Sequence, residues 1–143
     1  NPDGGKQVWE RLKWADVNVK PNDPPYKHLS KTTFIIKPTH RNHFGRWVER
    51  IGKVFAKRMP DASRIVMRLQ SGGQRNMYVS YTGYNTFENN NPELETTWEE
   101  DYNEMFGWDT WETDLRLYND SKEMIFGEQR VSLELVEELL PTN

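Results

Sequence analysis

No cysteine occurs among the 143 residues, which excludes disulfides, cysteine-ligated zinc and thiol nucleophiles. Histidine is scarce: His28, His40 and His43 are the only three, and none lies beyond residue 43. No apolar run approaches the roughly 20 residues of a membrane-spanning helix. No glycine-rich phosphate loop and no nucleophile-and-base arrangement is visible. Positive charge is almost missing from the second half. Residues 76–143 hold 3 Lys/Arg against 16 Asp/Glu, whereas residues 1–75 hold 16 against 6. The chain opens on Asn1 rather than Met. A removed signal peptide, with export to the periplasm, would explain this, and so would trimming of a longer chain.

What remains is a one-domain chain with a real core and many aromatics: six Trp, six Tyr and six Phe. A basic half raises the question of nucleic acid. Here it is joined to an acidic half of similar size, so the simpler expectation is that the two halves attract each other. No nucleic-acid partner is expected.

Residues 1–30 read as an N-terminal strand (Val8–Lys20) followed by the Pro-rich connector Pro21–Ser30. The main unit, residues 31–143, begins with a β-branched strand over Lys31–Lys37. Phe44, Trp47, Val48, Ile51, Val54 and Phe55 then recur with a 3.6 period, predicting a helix from Arg41 to Arg58, closed by Pro60. Gly45 is a mild cost inside it.

Ser63–Gln70 and Gln74–Thr82 both alternate, and Ser71-Gly72-Gly73 between them predicts a hairpin. Ile65, Met67 and Leu69, with Met77, Val79 and Tyr81, form the more apolar faces and are expected beneath the helices. The opposite face, with Ile35, Val66 and Tyr78 among Arg64, Arg68, Ser80 and Ser132, is expected to be open and mixed. A long connection, Gly83–Thr96, leads to the capping box Thr97-Trp98-Glu99-Glu100. A second helix carries Trp98, Tyr102, Met105, Trp108, Trp111, Leu115 and Tyr118 on one stripe, ends near Asn119 and is kinked at Gly107. Glu128–Val136 closes the unit as a strand.

The element order, βαββαβ, predicts an α+β fold of the ferredoxin-like kind, with two helices on one face of an antiparallel sheet and an extra N-terminal strand. The first helix carries Arg41, Arg46, Arg50, Lys53, Lys57 and Arg58; the second carries Glu99, Glu100, Asp101, Glu104, Asp109, Glu112 and Asp114. Side by side, the two attract.

Over residues 31–137 this order, with its helix lengths and long last strand, resembles the dimeric α+β barrel proteins. That group includes cofactor-free monooxygenases of antibiotic biosynthesis, haem-degrading oxygenases and many small bacterial proteins. The resemblance implies a homodimer in which two sheets face each other, and ligands held between sheet and helices. Tandem versions of the fold occur in the group. The ending of Val8–Asn22 is loosely like that of Val131–Asn143, so residues 1–30 also resemble the remnant of a preceding repeat. Haem-degrading members use a histidine on the second helix as iron ligand. The second helix here has none, and no cofactor is expected.

His40 and His43 are three apart near a helix start, but no acidic residue lies close in sequence to complete a metal site, and none is assigned. The acidic run from Glu99 to Glu104 reads as a dipole-favoured first turn rather than a calcium site. Candidate ligand-binding residues are Arg68, Tyr81, Tyr84, Trp108 and Trp111; no catalytic role can be given to any of them. Two functions follow. One is a small-ligand-binding or assembly domain that dimerises through its open sheet face. The other is a cofactor-independent, monooxygenase-like enzyme acting on an aromatic or polyketide-like substrate.

Overall fold

The computed structural model describes residues 6–20, 26–72, 76–85, 94–123 and, for the backbone, 128–134. Its strands are β1 (Val8–Arg11), β2 (His28–Ile35), β3 (Ser63–Ser71), β4 (Met77–Tyr84) and β5 (Glu128–Glu134). They form one antiparallel sheet in the order β1-β3-β4-β2-β5. Three helices accompany it: α1 (Arg41–Arg58), α2 (Trp98–Phe106) and α3 (Thr110–Ser121). The protein is therefore α+β with a largely antiparallel frame, as the pattern of periods predicts. No described helix is long and apolar enough to cross a membrane.

Helix α1 occupies the predicted span because its apolar stripe has a partner along its whole length. Phe44 and Val48 pack with Phe34, Ile36, Val66 and Tyr78 of the sheet. Trp47 and Val54 meet Tyr102, and Phe55 joins Val17 and Ala62. A 3-10 turn at Pro38–His40 leads into the helix.

The predicted second helix is two helices. Gly107 has φ +119 and Asp109 has φ +68. Both lie in the left-handed region, where an α-helix does not continue. The break is held in place by side chains: Thr110 Oγ1 donates to the Gly107 carbonyl at 2.6 Å, and the Trp111 amide donates to Asn103 Oδ1 at 2.8 Å. Thr97 caps α2 as expected, its hydroxyl accepting from the Glu100 amide at 3.1 Å. The Glu100 carboxylate meets the Thr97 hydroxyl at 3.2 Å.

The N-terminal strand is also shorter than expected. Pairing stops at Arg11, and a 3-10 turn (Lys13–Ala15) drops Leu12 and Ala15 into the core. The chain then rejoins β3 through a single bridge, Val17 to Arg64.

Two strands present the opposite face from the one expected. In antiparallel register, directly opposed residues share a face. Phe34 opposes Tyr78, Thr32 opposes Ser80, and Val66 also opposes Ser80. The helix-facing side therefore carries Arg64, Val66 and Tyr78, while Ile65, Met67, Leu69, Met77, Val79 and Tyr81 face outward. The reason is Arg64. Its guanidinium donates to the Ala15 carbonyl at 2.7 Å and to the Val48 carbonyl at 3.0 Å, tying the 3-10 turn to α1. Backbone carbonyls satisfy a cation that would otherwise be too costly to bury. Burial lowers the Arg64 pKa to about 10, opposed by the Asp16 charge, so the group stays charged at neutral pH.

Gly52 makes room for this staple. A Cβ there would lie 2.8 Å from Arg64 Nη2 and 3.1 Å from Val17 Cγ2. Alanine would be worth about 1 kcal/mol in helix propensity, but crowding a packed site costs about 1–3 kcal/mol. Gly52→Ala should lower the urea midpoint. A raised midpoint would show that Arg64 moves aside freely.

Candidate functional site

The five sequence-predicted site residues do not converge. Arg68 lies opposite Glu10 of β1 and pairs with it at 3.3 Å. Tyr81 is half-buried on the outer side of the sheet, opposed to Ile65 and Lys31. Tyr84 ends β4, stacks on His28 at 5.2 Å and joins the cluster around Val17 and Phe55. Trp111 packs edge-on to Trp47 at 5.2 Å and to Tyr102 at 5.6 Å. Trp108, at the α2–α3 break, is 92% exposed.

The space between helices and sheet, where the resemblance implies a ligand, is filled by rings. Phe44 lies 4.7 Å from Tyr78, Trp47 stacks on Tyr102 at 5.2 Å, and Trp47 stacks on Tyr118 at 5.4 Å. Most of the long connection after β4, including Phe87 and Asn89 to Asn91, lies outside the described residues. Among the described residues, no three metal-ligating side chains converge.

Two charged clusters join α1 to its neighbours. Asp101 is 1% exposed and receives Arg58 at 2.8 Å and Lys57 at 2.9 Å. Burial alone would raise its pKa, but hydrogen bonds from Arg58, Lys57 and Thr96 overcome that and hold it at about 2. Asp114 receives Arg50 at 2.7 Å and the Tyr102 hydroxyl at 2.6 Å. Burial, then the bond to Asp114, push the Tyr102 pKa up. Arg50 is raised as well: burial lowers it, and Asp114 more than compensates. Both clusters join helices, Asp101 tying α2 to α1 and Asp114 tying α3 to α1, and we read them as ties between helices.

The outer sheet side has a different character. β2 supplies Leu29, Thr33 and Ile35; β3 supplies Ile65, Met67 and Leu69; β4 supplies Met77, Val79 and Tyr81. Ile35, Val79 and Leu69 are buried and the rest half-buried. Arg11 borders it on β1, and Lys31 lies within it on β2, between Leu29 and Thr33 and opposite Tyr81. Among the described residues, no helix packs on this side. The sequence reveals these residues through their alternation, but not which way they point.

Compared with known protein families, curated proteins and solved structures, the chain matches none of them.

The Asp101 cluster makes a prediction about stability. Asp101 has a lowered folded pKa, so its contribution is complete above the ordinary value of 3.8 and is lost as pH falls towards 2. Asp101→Ala should cost about 3–5 kcal/mol at neutral pH, because it leaves Arg58 buried and unpaired. Urea titrations at pH 7 and between pH 4 and about 2 should show the variant losing that part of the wild-type acid sensitivity. A variant that titrates like the wild type would place the acid sensitivity elsewhere.

Proposed function

We propose that this chain is a non-catalytic assembly domain of the ferredoxin-like, dimeric α+β barrel kind, pairing with a second copy through the outer side of its sheet. The strand order β5-β2-β4-β3, with α1 and the α2–α3 pair on one side, supports the ferredoxin-like reading. The observation that carries the pairing is the direction of the β3 and β4 side chains. Their most apolar residues point away from the helices, in a patch bordered by Arg11 on β1 and carrying Lys31 on β2. A stable pair needs about 800 Å² from each partner, and the half-buried Leu29, Ile65, Met67, Met77 and Tyr81 are the apolar side chains on this face with area to give.

The enzymatic reading has less behind it. Trp111, Trp47, Tyr102 and Tyr118 occupy the space a substrate would need, and Trp108 is in solvent.

Sedimentation or light scattering at micromolar concentration should give a dimer. Met67→Glu places a second charge on the β3 side of the patch, opposite Arg11, and should give a monomer with the same far-ultraviolet circular dichroism. Thr33→Arg, at the same level on β2, should do likewise. A wild-type monomer, or dimers from both variants, would refute the pairing.

A further inference from the structure

A groove of about 620 Å³ runs along the outer stripe of α1, on the side of the molecule away from the outer sheet face. Its walls are Trp14 at one end and Phe106 at the other, with Asn42, Gly45, Arg46, Glu49, Arg50 and Lys53 between. We propose that this groove binds a flat-ringed organic anion of the nucleoside diphosphate type.

The first argument is the indole. Trp14 is 52% exposed, although it belongs to the turn that delivers Leu12 and Ala15 to the core. Its Cη2 lies 3.8 Å from where a Gly45 side chain would begin. A glycine inside a helix costs about 1 kcal/mol against alanine. At 3.8 Å a Cβ there would only touch the ring edge, so the indole lies directly against the helix while much of the ring stays in water. A half-exposed indole at the end of a groove is a stacking platform.

The second argument is charge. The cations of α1 are not equivalent. Lys57 and Arg58 are committed to Asp101, and Arg50 to Asp114. These pairings also neutralise the two carboxylates that α2 and α3 turn towards α1, so they no longer repel an anion. Among the described residues, Arg46 and Lys53 make no ion pair. Lys53 lies 5.9 Å from the Phe106 ring centre, beside Arg50 at 5.1 Å.

The third argument is spacing. Gly45 and Lys53 are separated by eight steps of helix, about 12 Å, the length of a base, a sugar and two phosphates. A base on Trp14 would set phosphates near Lys53. Glu49, the one acid in the groove, would accept hydrogen bonds from sugar hydroxyls, and its charge would disfavour a bare anion.

Calorimetry on the full chain at low salt tests this with ADP, adenosine, pyrophosphate and a short oligothymidylate. ADP should bind saturably with Kd below about 1 mM, and more tightly than adenosine or pyrophosphate. Trp14→Ala and Lys53→Glu should each weaken it by about tenfold or more, the low end of what one stacked ring contributes. Both positions are solvent-facing, and circular dichroism checks that each variant folds. Absence of saturable ADP binding overturns the proposal. So does binding unaffected by Trp14→Ala, or pyrophosphate binding as tightly as ADP. Oligothymidylate binding more tightly than ADP would replace the free nucleotide with single-stranded nucleic acid and equally overturn it. Met67→Glu should leave ADP binding unchanged, so the groove and the sheet face succeed or fail separately.

Discussion

The helix layer depends on two carboxylates held out of water. Asp101 and Asp114 project from α2 and α3 towards α1, where Lys57, Arg58 and Arg50 close on them. Exposed ion pairs contribute little to stability. These are different, because each carboxylate is almost fully enclosed and would be costly without its cations. Their main effect is on alignment. Shifting α1 by one turn against its neighbours would leave charge buried without a partner, so the pairs fix how the helices slide and which rings meet. The stacking of Trp47 on Tyr102 and Tyr118 depends on that register.

Arg64 does similar work on the other side of α1. It takes carbonyls from the turn after β1 and from the helix, so three segments distant in sequence share one cation. Together these groups explain why a chain so rich in charge holds a well-defined core. Arg58, Arg64, Asp101 and Asp114 lie inside, and each is met by a backbone or side-chain partner.

Much of this was legible before any coordinates. The span of α1 followed from its apolar period and Pro60, and the attraction between a basic and an acidic helix followed from charge counts. The facing of β3 and β4 was not legible. Alternation reveals that a strand has two sides, and Ile65, Met67 and Leu69 look like the inner one. Which side turns inward was decided by carbonyls of Ala15 and Val48, and sequence does not report their positions. Gly107 marked a weak point in the second helix, but the full break depends on Asp109 taking a left-handed conformation and on Asn103 and Thr110 bracing it. That break removed Trp108 from the aromatic stripe, and the facing of β4 put Tyr81 on the outer side of the sheet, so the expected pocket residues scattered. Of the candidate groove, the exposed cations could be counted in advance. The approach of Trp14 to Gly45 could not, because it needs a 31-residue separation to be closed by the fold.

β1 has a further consequence for the sheet as a whole. It spans only Val8–Arg11, yet it occupies the margin of β3, a nine-residue strand with three outward-facing apolar residues. Left uncovered, a long strand of that kind offers a row of free amides and carbonyls to any passing chain. What is offered in its place is four residues ending in Glu10 and Arg11, too short and too charged to recruit a neighbour. β1 therefore acts as a hem, which keeps the β3 side of the sheet from taking on another strand.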